Sequence, residues 1–100
     1  MSEAATAKTA RSTSELVALV EALIFVADEP VAAKLLGEVL EEERGSVQAA
    51  IDGLVREYEG RESGLQIREI AGGWQLTTRT EFHDEVRHFL KTRPSAKLSL

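Results

Sequence analysis

The spacing of apolar side chains changes from a helical period to a strand period near Gly64, and that change limits the folds the chain can adopt. Before it, apolar residues recur every three to four positions, which is the period of an amphipathic helix. After it, as at Leu65, Ile67 and Leu76, they alternate with polar neighbours, which is the period of a strand. The pattern predicts helices first and a β-ribbon afterwards.

Three helices are predicted before that change. Ser12 and Glu15 have the spacing of a capping box, so the first helix should begin there. Pro30 is expected to end the first helix and open the second, because its ring disfavours helical geometry in the preceding residue but suits a first helical turn. Ser46 can cap the third helix, and Gly60 can end it.

Two further elements follow the helices. Gly72 and Gly73 predict the tight turn of a hairpin, because glycine reaches positive φ angles without steric cost. Trp74 and Leu76 are the candidates for packing on the core, and Thr80 can cap a last helix. Each of the second, third and last helices is predicted to have one apolar face, which we call its stripe. The stripe of the second helix is Val31, Leu35, Leu36, Val39 and Leu40, and that of the third is Val47, Ala50, Ile51, Leu54, Val55 and Tyr58. The stripe of the last helix is Phe82, Val86, Phe89 and Leu90.

This order of elements is the winged-helix arrangement, an α+β fold with a three-helix core, a two-stranded β-hairpin as the wing and a C-terminal helix. A chain of 100 residues has room for one core. Residues 14–92 are expected to form the domain, and residues 1–13, rich in Ala, Ser and Thr, a disordered tail.

Composition and motif spacing disfavour several classes of function. The chain has no cysteine, which rules out disulfides and thiolate nucleophiles and is typical of a cytoplasmic protein. His83 and His88 are five residues apart and project from different sides of a helix, unlike a metal-binding pair. The longest apolar run contains Glu21 and is shorter than the roughly 20 residues that cross a membrane. We expect no enzyme, no cofactor, no metal and no membrane contact.

DNA binding is the main alternative, because the third helix of winged-helix regulators commonly enters the major groove. The net charge is −5, and the stretch predicted as the third helix carries one basic residue against three acidic ones, so phosphates should be repelled. Direct DNA binding should be weak or absent. A DNA-binding transcriptional regulator would have to use the basic residues near the end, which are Arg87, Lys91, Arg93 and Lys97.

The first helix is apolar nearly all round, although a surface helix normally has a polar half. Ala18, Ala22 and Phe25 point away from the stripe that should face the core. Either the hairpin or the last helix covers this second face, or a partner subunit does. We predict a dimer or partner interface at these three residues.

Three segments of the sequence resemble the ScpB family, the bacterial segregation and condensation protein B family. They are residues 21–30 (EALIFVADEP), 64–79 (GLQIREIAGGWQLTTR) and 90–99 (LKTRPSAKLS). The resemblance runs from about residue 16 to residue 100, and the hairpin segment is its most specific part.

That resemblance implies a non-catalytic scaffold. It implies a homodimer that binds the kleisin ScpA and, through it, the SMC ATPase, in the cytoplasm and at the nucleoid, to condense and segregate chromosomes. Family members carry two winged-helix domains, so residues 93–100 would be a linker towards a second domain. The resemblance also implies that the first domain dimerises while the second makes much of the kleisin contact.

Overall fold

The computed structural model describes residues 11–92, which form an α+β winged helix. The predicted order of elements is confirmed, with a two-stranded antiparallel sheet after three helices. The elements are α1 (Thr13–Val26), α2 (Ala33–Leu40), α3 (Arg44–Glu59), β1 (Leu65–Ile70), β2 (Gly73–Thr78), a 3-10 turn (Thr80–Phe82) and α4 (His83–Thr92).

The core is centred on α3, which packs against α1, α2 and β1. Its predicted stripe is confirmed, because five of its six residues are buried and Val55 is half-buried. Trp74 and Leu76 pack against this core from β2, as predicted. The buried residues are Leu16, Val20, Ile24, Ala33, Leu36, Val47, Ala50, Ile51, Leu54, Tyr58 and Ile67.

The start of α1 is fixed by its sequence. Ser12 Oγ accepts a hydrogen bond from Glu15 N at 3.0 Å, and Ser12 N donates to Glu15 Oε1 at 3.4 Å, which completes the predicted capping box. Arg11 donates to Leu40 O at 3.1 Å and pairs with Glu42 at 2.8 Å. The structured part therefore begins before residue 14, while the rest of the predicted tail, residues 1–10, lies outside the described residues.

The second helix starts later than predicted, at Ala33 and not at Pro30. Val31 N donates to Trp74 O at 2.9 Å, and Trp74 N donates to Val31 O at 2.8 Å. Because this bridge to β2 holds the backbone of Val31 extended, the prediction that Pro30 opens the helix is wrong.

The apolar stripe predicted for α2 is also partly wrong. Ala33 and Leu36 are buried against the core, but Leu35 and Val39 are exposed. A helix of 3.6 residues per turn cannot turn all five predicted positions towards one neighbour. The face of α2 that contacts α3 is therefore narrower than predicted, and Leu35 and Val39 remain on the surface.

The hairpin turn lies one residue earlier than predicted, at Ala71 and Gly72, whose φ angles are 53° and 81°. Two consecutive positive φ angles are the mark of a type I′ turn, which suits the twist of a two-residue hairpin. Gly73 instead begins β2, opposite Ile70. Its lack of a side chain is needed for another reason, since a Cβ there would lie 2.8 Å from the carbonyl carbon of Pro30.

Two predicted caps are wrong, and one helix end is confirmed. The N-cap of α3 is Glu43 rather than Ser46, with no side-chain capping bond. Thr80 opens a 3-10 turn, so α4 itself starts at His83. Gly60 ends α3 as predicted, and its N–H donates to Arg56 O at 2.9 Å.

Glu21, the polar residue in the apolar run of α1, is bonded to α3. The hydroxyl of Tyr58, which is buried, donates to Glu21 Oε2 at 2.5 Å. Burial raises the pKa of Tyr58 above its ordinary value of 10.0, and the hydrogen bond to the Glu21 carboxylate raises it further. A tyrosine with a raised pKa keeps its proton in the folded state and so maintains this bond between the two helices.

We expect Tyr58→Phe to be less stable than the original chain by about 1 to 2 kcal/mol at pH 8, the effect of losing a hydrogen bond to a carboxylate. Because the folded-state pKa is raised, this contribution is complete below about pH 10 and is lost as pH rises through the folded-state value. Urea unfolding of both proteins between pH 8 and about pH 11 measures the difference, which should narrow in alkali. Tyr58 is the single tyrosine of the chain, so tyrosinate absorbance reports its titration directly. A constant difference across this range would contradict the assignment.

Candidate protein-interaction surface

The three residues singled out on the first helix lie together on one exposed face of α1. Ala18 and Ala22 are exposed, and Phe25 is 47% exposed. Val26 extends this face with 60% exposure. We call these four residues the α1 face.

The opposite side of α1 contains its buried residues and packs against α3 and β2. Ala18, Ala22 and Phe25 stay in the exposed class although the hairpin and residues 83–92 of the last helix are in place. The role of the α1 face as an interface stays a prediction.

A second exposed apolar surface lies on α4 and the turn before it. Phe82 is 42% exposed and Phe89 is 50% exposed, while Val86 and Leu90 are half-buried. We call these four residues the α4 face. No residue of α4 is buried, and its main packing contact is with the adjoining 3-10 turn. The spacing of this stripe was visible in the sequence, but spacing alone does not show whether a stripe reaches the core.

Arg79, which follows β2, makes several hydrogen bonds to backbone carbonyls. Its guanidinium donates to Leu65 O at 3.0 Å, to Arg61 O at 3.1 Å and to Tyr58 O. Its backbone N donates to Gly64 O at 2.8 Å. One side chain therefore ties the end of α3, the start of β1 and the exit from β2 together. Sequence analysis missed it, because a single arginine after a strand produces no periodic signal.

The two candidate nucleic-acid residues that the structure describes, Arg87 and Lys91, do not form a basic surface. Arg87 donates to Asp84 Oδ1 at 2.8 Å, so its charge is partly balanced within α4. Lys91 is exposed near the end of α4, and Arg93 and Lys97 lie outside the described residues.

The third helix is not basic either. It starts earlier than predicted and so includes Arg44. With two arginines and three acidic residues, its net charge is 2 − 3 = −1. Acidic residues also precede it along the chain. A groove-reading helix would present positive charge to the phosphates, and this one presents a small negative excess.

The described residues offer little for metal chemistry or membrane insertion. Within residues 11–92, no three His, Cys, Asp or Glu side chains come together as a metal site. His83 and His88 are both exposed on α4. None of the helices in this part of the chain is long and apolar enough to cross a bilayer. The described residues do expose large apolar side chains on α1, α2 and α4.

Comparison with known proteins decides the family. The model of the family described as segregation and condensation complex subunit ScpB matches residues 18–100. The chain belongs to the ScpB family. It is 35% identical over 75 residues to segregation and condensation protein B of Symbiobacterium thermophilum, and 43% identical over 65 residues to that of Moorella thermoacetica. These matches cover 75% and 65% of the chain. The chain spans 34% and 33% of the length of these ScpB relatives.

Solved ScpB structures share the fold. The crystal structure of ScpB from Mycobacterium tuberculosis matches 87% of this chain and 54% of that chain, with a TM-score of 0.78 and 33% identity. A crystal structure of a dimer of the ScpB N-terminal domain complexed with an ScpA peptide matches 76% of this chain and 95% of that chain. Its TM-score is 0.70 and its identity 28%. The described residues therefore have the fold of an ScpB N-terminal domain.

Proposed function

We propose that this chain is a non-catalytic scaffold subunit of the bacterial SMC–ScpA–ScpB complex, which condenses and segregates chromosomes. In this proposal it forms a homodimer, binds the kleisin ScpA and reaches the SMC ATPase through ScpA, in the cytoplasm and at the nucleoid. Membership of the ScpB family supports the proposal. The observation that carries it is the match to a solved ScpB N-terminal domain that is dimeric and holds an ScpA peptide.

The α1 face is the surface that we assign to ScpA. Its helix is held firmly, because Leu16, Val20 and Ile24 are buried and the Ser12 cap fixes its start. The face therefore has its final shape before a partner arrives, which lowers the entropy cost of binding. Two alanines at its centre let an apolar segment of a partner approach the helix closely.

This proposal assigns ScpA binding to the first domain. The resemblance to the family implied instead that a second domain makes much of the kleisin contact. The similar solved domain supports the revision, since almost the whole of that chain is matched by this one. Residues 93–100, the proposed linker towards a second domain, lie outside the described residues. The DNA-binding regulator gains no support from the charges on α3 and α4.

The experiment is calorimetry of this chain with purified ScpA, comparing Ala22→Glu with Ala49→Glu. Both alanines are exposed and lie within helices, but Ala22 is on the α1 face and Ala49 is on α3. We expect Ala22→Glu to weaken ScpA binding about tenfold or more, because a charge must then be buried at the contact. Ala49→Glu should bind like the original chain.

Circular dichroism of both variants controls for folding. Equal affinities for ScpA in both variants would contradict the assignment of the α1 face. No binding of ScpA by the original chain, together with tight salt-dependent binding to duplex DNA, would contradict the scaffold and favour the regulator.

A further inference from the structure

One charged side chain, that of Glu21, stands at the border of the otherwise apolar α1 face. Successive residues of a helix are turned by about 100°, which places Glu21 about 40° from Phe25 and about 60° from Ala18. On its other side, Glu21 adjoins Ile24, which is buried. Glu21 itself is half-buried. Its carboxylate therefore lies between the core of the domain and the α1 face.

The carboxylate of Glu21 is held by α3 but is not saturated. Tyr58 is buried, and its hydroxyl donates to Glu21 Oε2 at 2.5 Å, which fixes the direction of the carboxylate. Within residues 11–92, Oε1 accepts no hydrogen bond and Glu21 forms no ion pair. Arg61 lies over the ring of Tyr58, with its Cζ 4.6 Å from the ring centre, and does not pair with Glu21. A carboxylate accepts up to about four hydrogen bonds, so most of this capacity is left for another molecule.

A partner that covers the α1 face also covers the carboxylate at its border. Removing water from a carboxylate is strongly unfavourable unless a donor or a cation replaces the water. The partner must therefore bring a donor to Glu21 Oε1. The net charge of the chain is −5, so its field attracts positively charged segments, and charge complementarity favours a basic side chain as that donor.

We propose that Glu21 is the specificity-determining residue of the α1 face, and that the ScpA segment bound there carries a lysine or arginine beside its apolar side chains. This inference rests on the proposed function, in which the α1 face binds ScpA. The apolar side chains pack on Ala18, Ala22 and Phe25, and the basic one pairs with Glu21. Apolar contacts alone would let the segment slide along the helix, whereas a fixed charge pair sets one register. Tyr58 is a positioning residue, because it orients the carboxylate.

Calorimetry with purified ScpA at two salt concentrations tests the charge pair. Glu21→Gln keeps the size of the side chain and an oxygen that accepts from Tyr58, but it removes the charge. We expect it to bind ScpA about five- to tenfold more weakly than the original chain at low salt. The difference should shrink to about twofold near 0.5 M salt, because screening weakens the pair. Glu38→Gln, at an exposed glutamate of α2, removes the same charge elsewhere and should bind like the original chain.

Tyr58→Phe separates the orientation of the carboxylate from its charge. In this variant Glu21 stays charged but loses the group that holds it, so ScpA binding should weaken about threefold. The salt dependence of binding should remain that of the original chain, which a change in the charge pair itself would not allow. Circular dichroism shows that each variant is folded under the conditions of the titration. Unchanged affinity in folded Tyr58→Phe would overturn the positioning role.

The outcomes distinguish this proposal from the proposed function. Glu21→Gln that binds ScpA as tightly as the original chain would overturn the proposal, and the scaffold would stand if Ala22→Glu still weakened binding. A loss of affinity that is equal at both salt concentrations would mean a neutral donor, and would overturn the basic side chain. An original chain that binds no ScpA would overturn the proposed function and this inference with it.

Discussion

Gly73→Ala should destabilise the domain by about 3 to 5 kcal/mol. A Cβ at this position would lie 2.8 Å from the carbonyl carbon of Pro30, 2.9 Å from its Cβ and 2.9 Å from Val31 N. These atoms belong to the backbone and to a proline ring, so they cannot turn aside as a flexible side chain would. Strand β2 must then move away from Val31.

That movement breaks two hydrogen bonds, from Val31 N to Trp74 O and from Trp74 N to Val31 O. Overpacking costs about 1 to 3 kcal/mol, and each lost hydrogen bond adds about 1 kcal/mol, which sets the expected range. Urea unfolding followed by the fluorescence of Trp74, the single tryptophan, measures the change.

Gly64→Ala is the matched control for this substitution. A Cβ at Gly64 would meet no heavy atom within 4 Å, so its effect should stay within about 0.5 kcal/mol. Equal stabilities of the two variants would show that the close approach of β2 to Pro30 does not exist in solution.

Arg79→Ala should cost about 2 to 3 kcal/mol. The guanidinium donates to three backbone carbonyls, those of Tyr58, Arg61 and Leu65, and hydrogen bonds from a charged donor contribute about 1.5 to 3 kcal/mol each when well shielded. Arg79 is only half-buried, so water can hydrogen-bond to the carbonyls that Arg79→Ala leaves free. The expected loss of stability therefore stays near the contribution of one such bond.

Arg79→Lys should recover little of this stability, because one ammonium group cannot reproduce the fork of a guanidinium. Arg68→Ala, at an exposed arginine of β1, is the control and should change stability by less than about 0.5 kcal/mol. Chemical unfolding gives the three values. A lysine variant as stable as the original chain would mean that charge alone, and not the three-carbonyl geometry, matters at this position.

The sequence predicts the local part of the fold well. The Ser12 capping box, the buried stripe of α3 and the end of α3 at Gly60 all depend on neighbours within a few residues, and all are confirmed. The start of α2 was mispredicted because Val31 is paired with Trp74, which is 43 residues further along the chain. Rules that consider only the neighbours of a proline cannot predict a pairing between residues so far apart in the sequence.

The residues of the candidate surfaces were likewise only partly predictable from the sequence. Ala18 and Ala22 could be found because a helix that is apolar on both sides has more apolar surface than one core can cover. The exposure of Phe89 could not be found, because periodicity defines a face but not its partner. Arg79 was missed because its three acceptors are set by the meeting of α3 with the hairpin.

The bridge between Val31 and Trp74 also fixes one end of the hairpin to the rest of the domain. Trp74 lies next to the turn at Ala71 and Gly72, so the hairpin is fastened close to its tip, at the end that stands free in a protruding wing. Moving the hairpin away from this segment would require both hydrogen bonds of the bridge to break. The tip of the hairpin is therefore joined directly to the segment that leads from the end of α1, next to Phe25 and Val26, into α2.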